Sequence, residues 1–337
     1  MTHGEATQPA LTVLGAGSWG TTLAIIAARN GLSVTLWGHD ADHITRLRAA
    51  RKNAEYLPGI SFPSSLQVSA DLGEAGRGAS QFLVVVPSAA FHDVLALLKP
   101  LLGPAAIVAW ATKGMEPGRA RLLSEVAEQT LGSTIRTAVV SGPSFAREVA
   151  SGLPTAMTVA SRDSMVAESV AGWLRNDRLR LYTSDDVIGV EVGGAVKNVL
   201  AIATGICDGL RFGANARAAL ITRGLAEMRR FAAALGARPE TLMGLAGVGD
   251  LVLTCTDDQS RNRRVGLALA SGKSLDECVA AVGQVAEGVA AARAVLAAAR
   301  AKGIDMPITE QVCRVLFDGV SPTDAVTALL RRDPRAE

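Results

Sequence analysis

The sequence predicts an α/β protein in which a parallel-sheet domain is followed by an all-helical domain. From residue 11 to about 185, short β-branched runs alternate with amphipathic stretches, a pattern typical of parallel strands joined by crossover helices. From about residue 186 onward, apolar residues recur at helical spacing and few strand patterns remain. The chain of 337 residues is also long enough for two domains.

The predicted elements follow this division. Strands are expected at 11–14, 33–37, 82–86, 107–111, 137–140, 155–160 and 179–182. Helices are expected at 21–29, 190–210, 214–235, 262–270, 275–282, 289–301 and 310–317. We therefore expect a sheet domain over 10–190 and a helical domain over 191–331, with 1–9 and 332–337 as flexible tails.

Composition excludes several classes of protein. The formal charge of +2 is small and the basic residues are dispersed, so no nucleic-acid partner is predicted. The longest uninterrupted apolar stretches fall short of the about 20 residues that a membrane span needs. The N-terminus lacks a secretory signal pattern, which favours a cytoplasmic protein. Four widely spaced cysteines without a CxxC motif indicate reduced core thiols, and no metal site is predicted.

The first predicted strand leads into GAGSWG at residues 15–20, which has the GxGxxG spacing and precedes a helix. In this context Gly15 allows the tight turn, Gly17 lets the backbone approach a pyrophosphate, and Gly20 allows close helix packing. The N-terminus of the following helix offers N–H donors to the anion. The motif therefore predicts a Rossmann-type domain that binds NADP or NAD.

The end of the second strand bears on the choice between the two cofactors. It reads Trp37-Gly38-His39-Asp40, without the immediate carboxylate that usually selects NAD. His39 can meet a phosphate, and three arginines follow (Arg46, Arg48 and Arg51), so NADP is modestly favoured. Asp40 is evidence for NAD unless it caps the next helix, which is the more frequent role of an aspartate in that position.

The candidate proton donor is Lys197. It lies in an apolar, small-residue helix, where a charge is costly unless it is paired or functional, and burial lowers the pKa of an amine towards neutrality. All four histidines precede residue 93, so histidine cannot serve acid–base chemistry in the second half. Lys113 directly follows another predicted strand, where ligands gather in open sheets.

Candidate anion-binding residues occur in three other segments. The loop 141–146 offers hydroxyls and backbone N–H groups, and Asp250 follows a glycine-rich stretch. At 260–264, Ser260 and Asn262 accompany Arg261, Arg263 and Arg264 at a predicted helix start. Basic residues there oppose the helix dipole, which suggests that an anion such as phosphate binds between them.

The order of several motifs resembles bacterial NAD(P)-dependent glycerol-3-phosphate dehydrogenase. The motifs are GAGSWGTTLA, LWGHD, TKG, SGPSFA, EVGGAVKNVLAIATGICDGL, GLAGVGDL and SRNRRVG, and the resemblance runs from about residue 10 to 330. It implies hydride transfer between NAD(P)H and dihydroxyacetone phosphate, giving sn-glycerol 3-phosphate for phospholipid synthesis. It also implies an active site between the two domains.

The resemblance carries roles onto individual residues of this sequence. Lys197 would be the proton acceptor. The cofactor would contact Ser18, Trp19, His39, Lys113, Ala146, Arg261, Val285 and Glu287. The substrate would be held by Lys113, Gly142, Ser144, Lys197, Asp250, Ser260, Arg261 and Asn262. The roles of Val285 and Glu287 rest on the resemblance alone.

Two other functions remain open from the sequence. A β-hydroxyacid dehydrogenase also joins a Rossmann domain to helices and uses a lysine, but it would leave the site at Arg261 empty. A catalytically silent NADP-binding sensor would gain nothing from Lys197 in an apolar helix. The oligomeric state is open as well, with a homodimer among the alternatives.

Overall fold

A computed structural model of the chain describes residues 10–283 and 286–332. The predicted tail 1–9 and most of the predicted tail 332–337 lie outside the described residues. Arg332, the last described residue, pairs with Asp305 at 2.5 Å.

The N-terminal part contains one eight-stranded sheet. Its strands are β1 Ala10–Leu14, β2 Ser33–Trp37, β3 Leu66–Ser69, β4 Ala79–Val84, β5 Ile107–Trp110, β6 Arg136–Ser141, β7 Thr155–Ala160 and β8 Leu179–Ser184. Their order in the sheet is β3-β2-β1-β4-β5-β6-β7-β8. Strands β2 and β3 lie on one side of β1, and the following strands lie on the other side, beginning with β4. In open α/β sheets, ligands bind at this reversal of the strand order.

The α/β fold class and the seven predicted strands are confirmed, with two differences. The sheet is not wholly parallel, because β7 pairs with β6 in the antiparallel direction, while β8 is parallel to β7. Strand β3 was missed, since it has only four residues and two of them, Gln67 and Ser69, are polar. Seven helices lie in this part: α1 Ser18–Arg29, α2 Ala41–Ala50, α3 Leu72–Ala75, α4 Ser88–Leu98, α5 Leu123–Leu131, α6 Ala146–Ala150 and α7 Ser164–Leu174.

The C-terminal part is helical, as predicted. Its α-helices are α8 Val187–Gly209, α9 Gly213–Ala234, α10 Asp250–Thr256, α11 Arg261–Ala270, α12 Leu275–Val282, α13 Glu287–Ala301, α14 Pro307–Phe317 and α15 Pro322–Leu330. Helices α10, with seven residues, and α15, with nine, were not predicted. The domain boundary expected near residue 190 falls in the first turn of α8.

Helix α8 is the centre of the helical part. Within the described ranges it alone is long and apolar enough to cross a membrane, yet 94% of that span is buried in the protein, as in a core helix. It does not stand out as an uninterrupted apolar stretch in the sequence, because Glu191 and Lys197 interrupt the run. The four cysteines are free and buried, as predicted.

Two glycines bring α8 and α11 into close contact. A Cβ atom at Gly205 would lie 2.1 Å from the carbonyl oxygen of Arg263, and one at Gly266 would lie 2.1 Å from that of Ile202. Since no side chain fits between the helices, their backbones touch at this crossing. The contact fixes the start of α11, with Arg261 and Asn262, beside the middle of α8.

Candidate active site

Two lysines and one aspartate form a buried cluster where the sheet meets the helical part. Lys113 follows β5, Lys197 lies in α8, and Asp250 begins α10. Nζ of Lys113 donates to Oδ2 of Asp250 at 2.7 Å, and Nζ of Lys197 donates to Oδ1 at 2.5 Å. Asp250 is fully buried. One carboxylate thus holds two ammonium groups, so the cluster carries a positive charge when both are protonated.

The pKa values in this cluster follow from burial and from the mutual interactions of the charges. Burial lowers the pKa of Lys197 to about 8, while Asp250 acts in the opposite direction. Burial by itself raises the pKa of Asp250, but the ammonium groups of Lys113 and Lys197 outweigh it and lower this pKa. Near neutral pH, Lys197 can therefore exchange a proton while Asp250 stays ionised.

The glycine-rich segment before Asp250 forms regular structure. Residues Leu245–Gly249 form a π-helical turn, which runs directly into α10. A Cβ atom at Gly193 in α8 would lie 2.1 Å from the carbonyl oxygen of Ala246. This glycine lets the turn pack directly on α8, and the close packing places the Asp250 carboxylate beside Lys197.

The loop after β6 reaches the same cluster. Nζ of Lys113 also donates to the carbonyl oxygen of Gly142 at 3.2 Å, and Oγ of Ser144 donates to the same oxygen at 3.0 Å. Gly142 has φ +144°, and a Cβ atom there would lie 2.9 Å from Cα of Met157. Glycine is therefore required at this turn, which brings Ser144 towards Lys113.

The start of α11 lies next to Lys197. The side chain of Ser260 caps the helix by accepting from the N–H of Arg263 at 3.2 Å. Nδ2 of Asn262 donates to Oδ1 of Asn198, the neighbour of Lys197, at 2.9 Å. Oδ1 of Asn262 accepts from the N–H of Gly288 at 2.9 Å. Asn262 therefore links α8, α11 and the first turn of α13.

The three arginines at this helix start differ in their surroundings. Arg263 pairs with Asp208 at 2.6 Å and also with Asp258, so carboxylates of the protein supply its counter-charge. Arg264 is exposed. The expectation that three arginines together need a bound anion is therefore wrong for Arg263. The case for an anion rests on Arg261, whose positive charge acts on the same carboxylate, Glu287, as those of Lys113 and Lys197.

Glu287 also lies within the electrostatic range of this cluster. Burial raises the pKa of Glu287, and the positive charges of Arg261, Lys113 and Lys197 oppose that rise. The structure thus brings Glu287, which only the resemblance had singled out, close to the predicted substrate residues. Val285 lies outside the described residues.

The GxGxxG loop has the geometry that a dinucleotide requires. The N–H of Gly15 donates to the carbonyl oxygen of Trp37 at 2.8 Å, and Gly15 has φ +122°. Gly17 is exposed, and a Cβ atom there would have no neighbour within 4 Å. Since Gly17 has no side chain, it does not cap the first N–H groups of α1. Nε1 of Trp19 is buried without a hydrogen-bond partner among the described residues. These features fit a pyrophosphate and its ribose at the start of α1.

Two further predicted cofactor residues are joined through Thr22. Its hydroxyl contacts the carbonyl oxygen of Ser18 at 2.9 Å and that of Ala146 at 3.1 Å. Ser18 begins α1, and Ala146 begins α6. The loop after β6 is therefore tied both to the GxGxxG loop and, through Gly142, to Lys113.

The residues after β2 bear on the choice of cofactor. His39 is exposed at the end of the strand. Asp40 caps α2 by accepting from the N–H of His43 at 2.9 Å, so its predicted capping role is confirmed. Arg48 and Arg51 donate to backbone carbonyls of Val68 and Leu66, which engages both in holding this part of the chain together.

Comparison with known proteins agrees with this geometry. The family model described as NAD-dependent glycerol-3-phosphate dehydrogenase N-terminus matches residues 10–167, and the corresponding C-terminus model matches residues 186–327. The chain belongs to this family. The resemblance inferred from the motifs is therefore confirmed.

Members of this glycerol-3-phosphate dehydrogenase family align with the chain over nearly their whole length. The glycerol-3-phosphate dehydrogenase (NAD(P)+) of Thioalkalivibrio sulfidiphilus is 56% identical over 98% of this chain and 99% of its own. That of Pseudoalteromonas translucida is 55% identical over 97% of this chain and 98% of its own. The crystal structure of the enzyme from Coxiella burnetii has a TM-score of 0.94 at 49% identity, and covers 97% of this chain and 100% of its own.

Thr254 belongs to the site geometry but was missed in the sequence. Nζ of Lys197 donates to Oγ1 of Thr254 at 3.0 Å, and Oγ1 of Thr254 lies 3.3 Å from Oδ1 of Asp250. Thr254 is four residues after Asp250, so both side chains share one face of α10. That spacing would have revealed Thr254 if α10 had been predicted.

Proposed function

We propose that this chain catalyses the NAD(P)-dependent interconversion of dihydroxyacetone phosphate and sn-glycerol 3-phosphate. The observation that carries the proposal is the buried cluster of Lys113, Asp250 and Lys197 beside the start of α11. Membership of the family supports the same reaction. We further propose a cytoplasmic enzyme that supplies phospholipid synthesis.

The proposed chemistry follows from the charges of the cluster. NAD(P)H, when bound, supplies the hydride that reduces the ketone. Lys197 in its protonated form donates a proton to the carbonyl oxygen, and in the reverse direction neutral Lys197 accepts the hydroxyl proton. Lys113 stabilises the negative charge that develops on that oxygen. Asp250 holds both ammonium groups and keeps them from moving apart.

Other residues bind substrate and cofactor in this proposal. The substrate phosphate would lie at the start of α11, where Ser260, Arg261 and Asn262 would hold it, and Gly142 and Ser144 would also contact the substrate. The cofactor is held by Gly15, Gly17, Ser18, Trp19, Gly20, His39, Lys113, Ala146, Arg261, Val285 and Glu287. Backbone N–H groups of α1 bind the pyrophosphate.

An assay of NADH and NADPH oxidation with dihydroxyacetone phosphate tests the proposed function. We expect turnover with both cofactors and a somewhat higher kcat/KM with NADPH, because Asp40 is engaged in capping and His39 is exposed. A many-fold preference for NADH would contradict the cofactor prediction. Turnover of a simple β-keto acid in place of dihydroxyacetone phosphate would favour the β-hydroxyacid dehydrogenase, and binding of NADPH without any turnover would favour the sensor.

Replacement of Arg261 with alanine should lower kcat/KM for dihydroxyacetone phosphate at least tenfold. A charge-assisted hydrogen bond to phosphate contributes about 1.5–3 kcal/mol, which corresponds to roughly that factor. Unphosphorylated dihydroxyacetone should be a poor substrate of the unchanged protein, and the substitution should narrow the gap between the two substrates. Arg264→Ala is the matched control, since this exposed arginine lies on the same helix. An equal loss with both substrates would assign Arg261 to the cofactor alone.

The two directions of the reaction should depend on pH in opposite ways. Because the pKa of Lys197 is lowered to about 8, Lys197 is largely protonated at pH 7 and largely neutral at pH 9. The kcat/KM for ketone reduction should therefore fall above about pH 8, and that for alcohol oxidation should rise up to about pH 8 and then level off. Initial rates in both directions between pH 6 and 10 measure this. Parallel profiles in the two directions would contradict proton transfer by Lys197.

A further inference from the structure

Glu191 is a buried carboxylate outside the cluster of lysines. It lies in α8 six residues before Lys197, about 9 Å along the helix axis, and only 4% of its surface is exposed. Its Oε1 accepts from Nε1 of Trp110 at 3.2 Å and from the N–H of Ser124 at 2.9 Å. Its Oε2 accepts from Oγ of Ser124 at 2.5 Å. One side chain therefore joins α8 to β5 and to the first turn of α5.

The partners of Glu191 are firmly placed. Trp110 is fully buried at the end of β5 and packs edge-on against Phe91, with ring centroids 5.7 Å apart. Lys113 follows Trp110 by three residues. A small cavity of about 10 Å³ is lined by both Lys113 and Glu191, so α8 rests against the end of this strand next to the cluster. A shift of α8 along β5 would change the separation of Lys197 and Lys113.

The energetics of Glu191 suit a hydrogen-bonded anchor. Burial raises the pKa of Glu191 to about 7, and the bonds from Ser124 and Trp110 oppose that rise. The carboxyl group therefore takes both protonation states near neutral pH. Either state accepts from Trp110 and from the N–H of Ser124, so these bonds do not require the negative charge.

We propose that Glu191 is a positioning residue for proton transfer by Lys197, which fixes α8 against β5 and α5 and so holds Lys197 in register with Lys113 and Asp250. The proposal rests on the proposed function only in its kinetic readout. Glu191 does not touch the three cluster residues through any of its hydrogen bonds described above, so its effect on the reaction is indirect.

Glu191→Ala and Glu191→Gln test the proposal. The alanine variant should lower kcat for dihydroxyacetone phosphate about 10- to 100-fold, since a misplacement of about 1 Å can cost that much, while KM for NADPH stays within about twofold. The glutamine variant should stay within about threefold of the unchanged enzyme, because its Oε1 can accept the same two N–H bonds and its Nε2 can donate to Oγ of Ser124. A glutamine variant as slow as the alanine variant would overturn the proposal.

Glu227→Ala is the matched control for a purely structural effect. Glu227 lies in α9, is 1% exposed, and accepts from the N–H groups of Ile308 at 2.6 Å and Thr309 at 3.3 Å. Burial also raises its pKa to about 7. The Glu227→Ala variant should lower the midpoint of urea unfolding as Glu191→Ala does, but leave kcat per folded molecule unchanged. Equal kinetic effects of the two alanine variants would overturn the proposal.

A second readout does not depend on turnover. The chain has six lysines, so NMR titration with ¹³C-labelled lysine can follow the pKa of Lys197, assigned by its loss in Lys197→Ala. We expect this pKa to move in Glu191→Ala and to stay unchanged in Glu227→Ala. If Glu191→Ala does not fold, Ser124→Ala removes only the hydroxyl donor and should move the pKa in the same direction by less. If the pKa of Lys197 were the same in Glu191→Ala as in the protein without substitutions, the proposal would be overturned. Inactivity of the protein without substitutions would overturn only the proposed function.

Discussion

Replacement of Lys197 with alanine is expected to lower kcat for dihydroxyacetone phosphate reduction by about 10²- to 10⁴-fold, the usual contribution of a general acid. Lys197 is buried, its Nζ lies 2.5 Å from Oδ1 of Asp250, and burial lowers its pKa to about 8. Alanine removes the proton donor from the cluster. Stopped-flow measurement of NADPH oxidation at saturating substrate gives the loss in kcat.

Two controls separate this effect from a general loss of structure. The dissociation constant of NADPH should stay nearly unchanged in Lys197→Ala, because the GxGxxG loop that is proposed to bind it is distant in sequence and separately hydrogen-bonded. Lys302→Ala, at an exposed lysine after α13, should behave as the unchanged protein. Turnover of Lys197→Ala within tenfold of normal would show that another group supplies the proton.

The sequence was sufficient for the fold class because the two kinds of periodicity are long and unambiguous. Alternation of β-branched runs with amphipathic stretches persists through the strands of the sheet, and helical spacing persists after residue 186. Local pattern does not encode strand direction, so the antiparallel pairing of β7 with β6 could not be predicted. Strand β3 and helix α10 are too short for a periodic signal.

The candidate site could be predicted where a residue is energetically costly in its surroundings, and it could not be predicted where the residue is of an ordinary type for its position. A lysine in an apolar helix and a GxGxxG loop after a strand each stand out, because a buried charge and a strained turn need a reason. Thr254 does not stand out because α10 was not predicted, and Glu191 does not because it lies at the start of the predicted helix 190–210, where an acidic residue is ordinary. Their roles depend on which helix faces which strand. The arginines at 261–264 illustrate the opposite error. The sequence suggested an anion between them, but Arg263 pairs with Asp208, which is distant in sequence, and with Asp258.

Replacement of Asp250 with asparagine should both destabilise the protein and reduce its activity. The carboxylate is fully buried and accepts from Lys113 at 2.7 Å and from Lys197 at 2.5 Å. Asparagine has nearly the same shape as aspartate, but it lacks the negative charge that balances the two ammonium groups in these contacts. Loss of one member of a buried ion pair costs about 3–5 kcal/mol of unfolding free energy, and urea denaturation measures this.

The same substitution should also change the pH dependence of the reaction. Asp250 raises the pKa of Lys197 against the effect of burial, so its removal should lower that pKa further below about 8. Ketone reduction should then decline at a lower pH than in the unchanged protein, because Lys197 loses its proton earlier. Asp185→Asn is the matched control, since Asp185 pairs with Arg238 at the surface, where ion pairs contribute little. If Asp250→Asn left both the unfolding midpoint and the pH profile unchanged, the two lysines would not depend on this carboxylate, and the charge balance on which the proposed mechanism rests would be wrong.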